Sequence, residues 1–310
     1  MTPPPLLAIV GPTGTGKTAL SLGVAETLLA RGRPAHIVNA DAMQLYRGMD
    51  VGTAKLPESE RRGIPHSLFD VLDPTETSTV ADFQPRAREV IASIREQGAV
   101  PLLVGGSGLY VSAVIHDFRF PGTDPAVRAR LEAELAAAGP ALLWQRLRAA
   151  DPAAAAAIDP GNGRRVMRAL EVIELTGAPY GASLPEKSPY WVPTRLVYVD
   201  VAQDERDLLK QRLAERAREM WRSGLVDEVR GLLPGLREGT TAARAIGYAQ
   251  ALAVLDGTMT EEEGIEETIR LTWRYVRRQR SWFGRYPDAV RLRAGDPDLV
   301  DRVLALVDAG

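Results

Sequence analysis

Gly11-Pro12-Thr13-Gly14-Thr15-Gly16-Lys17-Thr18 has the spacing of a phosphate-binding loop, a glycine and four residues followed by Gly-Lys-Thr. Glycines let the backbone curl around phosphate oxygens, the amides and the helix N-terminus that should follow favour an anion, Lys17 neutralises charge, and the Thr18 hydroxyl can ligate Mg2+. Lysine occurs elsewhere only at Lys55, Lys187 and Lys210, so a lysine here is a less ordinary event than in a lysine-rich chain. The best placed carboxylate is Asp41, in Asn39-Ala40-Asp41-Ala42-Met43-Gln44-Leu45-Tyr46. It should lie just beyond a strand's carboxyl end, where open parallel sheets bind ligands, and is a candidate general base; a helix cap or turn would use the same residue type. Gln44 has the paired groups to read a base edge, and Tyr46 can stack or pack. Gly105-Gly106-Ser107-Gly108 ends another apolar run, where small residues clear space for a ligand or for the chain itself. No acid ends that run, as a Walker B metal ligand would in a nucleotide hydrolase.

Arginine is concentrated in two places. Arg164, Arg165 and Arg168 share one helical stretch, with 164 and 168 on the same face. Arg270, Arg274, Arg277, Arg278, Arg280 and Arg285 follow one another without an intervening acid, interleaved with Trp273, Tyr275, Trp282 and Phe283. Arginine with aromatics holds phosphate backbones and unstacked bases; a solvated helix face over packed rings would look the same in sequence.

These residues need elements to hold them. Leu6 to Val10, Ala35 to Asn39 and Val100 to Val104 read as buried strands, and Ala19 to Ala30 and Phe83 to Gln97 as helices. Their alternation implies an α/β fold with a parallel sheet, a P-loop NTPase-like core. After about Phe118, Pro121 to Pro125 signals a helix start, and the alanine-rich stretch through Thr176 carries no strand pattern. A loop over Gly177 to Pro193 then leads to the apolar run Arg195 to Val201, which returns the chain to the sheet. The core is therefore expected over 1–118 and 191–310, with a helical insertion domain over 119–190. Helices follow Asp204, the longest from Glu261 to about Tyr286, and Ala289 to Leu292 reads as a last strand.

Composition bounds the function. The 310 residues are 45% apolar and 25% charged, the balance of a globular chain of one or two domains. Zero cysteines exclude disulfides, Cys-based zinc sites and a cysteine nucleophile, and three histidines argue against other zinc sites. A net charge of −2 does not suggest a nucleic-acid partner, but the average hides the arginine clusters. No run approaches a membrane span and no signal-peptide pattern opens the chain, so a cytoplasmic protein is expected.

Taken in order, seven motifs resemble those of the bacterial tRNA dimethylallyltransferases, also called tRNA isopentenyltransferases, along nearly the whole chain. They are the P-loop, Asp41 to Tyr46, Gly52-Thr53-Ala54-Lys55, Val104 to Tyr110, Arg164 to Glu171, Ala245-Ile246-Gly247-Tyr248, and Arg277 to Phe283. Ser107 stands where the family usually has threonine, His66 is followed by Ser67 rather than a second histidine, and the zinc finger of eukaryotic members is absent. The resemblance implies transfer of a dimethylallyl group from dimethylallyl diphosphate to N6 of adenosine 37 in tRNA. Lys17, the loop amides and Mg2+, held in part by Thr18, would stabilise the departing diphosphate, so no hydrolytic Walker B acid is needed. Asp41 would accept the amine proton. The implied catalytic set is Asp41, Thr13, Lys17, Ser107 and Arg244, with Thr13 and Arg244 helping to bind diphosphate. Gly11, Pro12, Gly14, Thr15, Gly16 and Thr18 complete the phosphate cradle. The implied tRNA contacts, gripping the anticodon stem-loop, are Asp41, Ala42, Met43, Gln44, Ser107, Arg128, Arg164, Arg165, Val166, Met167, Arg168, Arg277, Arg278 and Arg280. A monomer is expected. Prenyl transfer to free adenine nucleotides, a P-loop small-molecule kinase using the loop for ATP, and a nucleotide-gated RNA-binding module remain as alternatives.

Overall fold

The fold is described from a computed structural model covering residues 3–118, 120–180 and 189–308. Strand β1 (Leu6–Val10) is buried at every position, because it lies between β4 (Val100–Gly105) and β5 (Thr194–Asp200) in a six-stranded sheet. β2 (Ala35–Asn39) and the short β3 (His66–Ser67) extend the sheet beyond β4, and β6 (Val290–Arg293) extends it beyond β5. Every pairing is parallel, giving the order β3-β2-β4-β1-β5-β6 and a mixed α/β, P-loop NTPase-like fold.

A parallel sheet needs cover on both faces. Leu6, Ala8 and Val10 of β1 enter one core with residues of α2 (Val80–Glu96), α3 (Gly108–Ile115), α8 (Leu225–Gly231), α10 (Tyr248–Leu255) and α11 (Glu261–Phe283). Leu7 and Ile9 point the other way, into a core with α1 (Lys17–Ala30) and α12 (Leu299–Asp308). Helix α7 (Arg206–Arg222) packs along α11, and the one-turn α9 (Gly235–Glu238) follows α8.

Residues 1–116 and 190–310 make one compact unit, and residues 117–189 a second. The second contains α4 (Pro125–Ala150), α5 (Pro152–Ala157) and α6 (Gly163–Thr176) around Leu131, Leu143, Leu147, Ile158, Val166 and Leu170. Asp124, Asp151 and Asn162 cap the three helix starts with their side chains, and Gly177 ends α6 in the left-handed conformation. Of the loop expected over Gly177 to Pro193, residues 181–188 lie outside the described residues.

Boundaries differ from the sequence expectation where caps decide them. α2 begins at Val80 because the Thr79 side chain accepts from the Asp82 amide, and α11 ends at Phe283 with Gly284 as its cap. The two-residue β3 is too short to show a hydrophobic period and had no signal to read.

Candidate active site

Four strands of the first unit deliver residues to one end of the sheet. In register, Val10 pairs with Gly105 and Tyr198, and Asn39 pairs with Val104, so the loops after β1, β2, β4 and β5 start at about the same level. The loop after β1 turns at once: a Cβ on Gly11 would lie 2.1 Å from the Val199 carbonyl oxygen, and Gly14 and Gly16 take φ of 81° and 82°. Thr15 Oγ1 and Lys17 Nζ both donate to the Pro12 carbonyl, at 2.9 and 2.7 Å, closing the loop on itself. α1 then begins at Lys17 with no acidic residue in its first turn, leaving its N-terminal amides for an anion. The Thr18 hydroxyl has no hydrogen-bond partner among the described residues.

After β2, buried Asn39 fixes the turn. Its Nδ2 donates to the Asp41 carbonyl at 3.1 Å and the Leu68 carbonyl at 3.0 Å, while its Oδ1 accepts from the Asp41 amide at 2.9 Å. The Asp41 carboxylate accepts from the Met43 amide at 3.0 Å, and the Gln44 amide also bonds to it. Burial pushes the Asp41 carboxyl above its ordinary range; the Met43 amide, Lys17, Arg216 and the Gln44 amide work against that shift. Burial likewise lowers the Lys17 ammonium to about 8, with Asp41 raising it, Arg216 lowering it and Asp200 raising it. Arg216, on α7, is itself lowered by burial and held up by Asp41. Two desolvated cations and one carboxylate thus lie within electrostatic reach of one another beside the phosphate loop. Such a site binds an anion, and its carboxylate, moved toward neutrality, can take up a proton.

The third loop explains its glycines by packing. A Cβ at Gly105 would meet the Ala40 carbonyl at 2.4 Å, one at Gly106 the Gln279 Nε2 at 2.2 Å, and one at Gly108 the Trp282 ring at 2.5 Å. The cleared space is therefore filled by the chain. Gln279 is buried on α11 and joins two loops: its Oε1 accepts from the Thr13 amide at 3.0 Å and its Nε2 donates to the Gly106 carbonyl at 2.9 Å. Ser107 Oγ accepts from the Ala42 amide at 3.1 Å and lies 3.4 Å from the Tyr275 hydroxyl.

Other expected site residues are placed differently. Gln44, half-buried, donates its side-chain amide to the Thr53 and Ala54 carbonyls, at 3.1 and 3.4 Å, and Tyr46 is fully buried. Arg244 is exposed, and Arg216, which carries no motif, acts on both Lys17 and Asp41. Arg280 turns inward to a paired hydrogen bond with Asp200, Nε to Oδ2 at 2.9 Å and Nη2 to Oδ1 at 2.9 Å, with both side chains nearly buried. Arg277 and Arg278 are exposed on α11, and the Arg278 guanidinium lies 5.8 Å from the Tyr275 ring centroid.

In the second unit Val166 and Met167, expected among the tRNA contacts, are core residues. Arg164 and Arg165 are exposed. Arg128 and Arg168 both pair with the fully buried Glu171, each at 2.7 Å, and Arg168 also donates to the Pro121 and Gly122 carbonyls at 2.6 and 3.1 Å. Burial tends to raise the Glu171 carboxyl, but the two guanidinium bonds leave it below its ordinary value.

No group of three or more metal-ligating side chains occurs among the described residues, and no helix there is long and apolar enough to cross a membrane. The free Thr18 hydroxyl fits a cation that arrives with diphosphate oxygens, rather than one caged by protein carboxylates.

Arg216 and Gln279 carry no motif signal of their own type. Gln279 lies inside the seventh motif, and the buried positions Val276, Gln279 and Phe283, at helical spacing, give the phase that turns it inward. Arg216 lies three residues beyond buried Leu213 on α7, and only the packing of that helix brings it to the loop.

Residues 44–286 match the family model described as IPP transferase. A tRNA dimethylallyltransferase of Clavibacter sepedonicus is 58% identical over 306 residues, covering 98% of each chain. One from Kineococcus radiotolerans is 57% identical over 309 residues, covering 98% of this chain and 96% of that one. The crystal structure of the full-length tRNA isopentenylpyrophosphate transferase of Bacillus halodurans superposes with a TM-score of 0.69 at 39% identity, covering 98% of this chain and 95% of that one.

Proposed function

The chain belongs to the IPP transferase family and is a tRNA dimethylallyltransferase, and from that premise we propose the finer reading that it moves the C5 group from dimethylallyl diphosphate to N6 of adenosine 37 in the anticodon loop. The observation that carries this reading is that the loops after β1 and β2 start at one level of the sheet and hold Lys17 and Asp41 within electrostatic reach of each other and of Arg216. A prenyl diphosphate needs both functions side by side. The allylic C–O bond breaks with its electron pair passing to diphosphate, and the desolvated cations and loop amides stabilise the charge that develops there. The N6 lone pair forms the new bond to the allylic carbon, and Asp41 accepts the proton that the amine loses. Burial, by raising the Asp41 carboxyl, makes it the stronger base. A Mg2+ ion held by Thr18 and the diphosphate would supply further charge neutralisation.

The adenine must leave its stack, which costs a few kcal/mol and least in a single-stranded loop. The exposed Arg164, Arg165, Arg277 and Arg278 are the candidates to offset that cost by holding the RNA backbone, with Arg128 presented on Glu171. The protein works as a monomer in the cytoplasm on this reading.

The test pairs substrates. With dimethylallyl diphosphate and Mg2+, unmodified tRNA should gain C5H8 and free adenosine monophosphate should not. The reverse preference, or phosphate transfer from ATP without a prenyl product, overturns it.

A further inference from the structure

Glu228 stands outside all seven motifs, yet its carboxylate accepts from four donors. Oε2 takes the Asp50 and Val51 amides at 3.0 and 2.7 Å, and Oε1 takes the Gly52 amide at 3.4 Å and the Tyr248 hydroxyl at 2.5 Å. Three successive amides converging on one anion form a backbone nest. Gly52 has to lack a side chain, because a Cβ would lie 2.5 Å from the Tyr248 ring and 2.8 Å from Leu225. The third and sixth motifs therefore meet at this carboxylate.

The anchored segment runs on to the site. Thr53 and Ala54 offer the carbonyls that hold the Gln44 side chain, and the Gln44 and Met43 amides hold the Asp41 carboxylate. Buried Lys55 ties the same loop down, donating to the Tyr46 carbonyl at 2.7 Å and to Asp50 and Asp70 at 2.6 Å each. Ala54 and Asp70 take φ of 49° and 55°, a backbone region that persists only where the surroundings enforce it. The loop is thus held against its own preference by bonds at both ends.

We propose that Glu228 is a positioning residue for prenyl transfer, acting through residues 50–54 and Gln44 to keep the Met43 and Gln44 amides on the Asp41 carboxylate. This rests on Asp41 being the proton acceptor. Asp41 is also faced by Lys17 from α1, Tyr110 from α3, Arg216 from α7 and Tyr275 from α11, none of which Glu228 touches. Loosening the loop therefore removes amide donors from Asp41 while leaving those neighbours in place. Its carboxyl rises further, and its aim at the amine is lost.

The experiment measures single-turnover transfer against pH in wild type, Glu228→Gln and Asp41→Asn, with saturating dimethylallyl diphosphate and an anticodon stem-loop RNA. Glu228→Gln should slow transfer on the order of 10- to 100-fold, the cost of a misplaced catalytic group, and move the acid limb to higher pH. Affinity for an unreactive thio analogue of the diphosphate should stay at the wild-type value. A wild-type rate and acid limb in Glu228→Gln, while Asp41→Asn is inactive, overturns the inference and spares the mechanism; a wild type that makes no C5 product overturns the mechanism. A drop in melting temperature with the limb unmoved in the folded fraction also overturns the inference. If Glu228→Gln does not fold, Tyr248→Phe removes one donor from the same carboxylate and must move the limb in the same direction; an unmoved limb there refutes the proposal.

Discussion

Raising the pH from 7.5 to 9.5 should strip the proton from Lys17 and release the diphosphate. Burial lowers that ammonium to about 8 in the free protein. Most of the amine is then protonated at the lower pH and little of it at the higher one, and apparent affinity scales with the competent fraction, so the dissociation constant should rise on the order of 10-fold. The sign follows from linkage: bound diphosphate favours the charged amine, so binding takes up a proton, and affinity present below a pH of about 8 is lost above it. An ordinary lysine would remain charged through this window and give a flat profile. Isothermal calorimetry with the unreactive thio analogue reads both quantities, the constant and, from buffers of different ionisation enthalpy, the proton uptake. Lys17→Met should bind weakly at 7.5 and show no further loss at 9.5. A flat wild-type profile, or the same slope in Lys17→Met, would refute the argument that burial of this ammonium tunes the cradle.

Asp41→Asn should lower the rate of transfer by about 10²- to 10⁴-fold, the usual worth of a general base, when presteady-state rates are read at saturating diphosphate. Gln279→Ala leaves the Thr13 amide without its partner, at a cost of about 1–3 kcal/mol in denaturant unfolding, while the Gly106 carbonyl keeps only the Tyr275 hydroxyl at 3.4 Å. Gly106→Ala should disturb the same contact, since its Cβ would meet Gln279 Nε2 at 2.2 Å, so the double variant should be less destabilised than the sum of the singles. Arg277→Ala with Arg278→Ala should weaken stem-loop binding and reduce its salt slope by about two, with the affinity for the diphosphate analogue unchanged.

How much of this could be read without coordinates depends on the range over which each residue acts. The phosphate loop was legible because its geometry is local: glycines at fixed offsets, followed by the first turn of α1. Asp41 was legible because it follows a strand directly. The second glycine turn was recognised, but what fills it, Ala40, Gln279 and Trp282, arrives partly from α11 more than 170 residues away, and no local pattern encodes that. Arg216 reaches the site through the packing of α7 on α11, which is equally nonlocal. The arginine run around residue 280 shows the same dependence on packing. Composition alone makes Arg277, Arg278 and Arg280 equivalent, whereas buried Val276 places Arg280, four residues on, toward the protein and its Asp200 partner. Val166 and Met167 fell into a motif of exposed arginines in the same way, and the apolar phase of α6 puts them in the core.

The most direct test of the account is the chemical identity of its product. Unmodified tRNA bearing adenosine at position 37 is incubated with the protein, dimethylallyl diphosphate and Mg2+, digested to nucleosides and analysed by mass spectrometry alongside a diphosphate assay. The account predicts C5H8 on N6 of that adenosine, one diphosphate released per group transferred, and no product when the position carries guanosine. Diphosphate release without a prenylated nucleoside, or prenylation that ignores position 37, would contradict it.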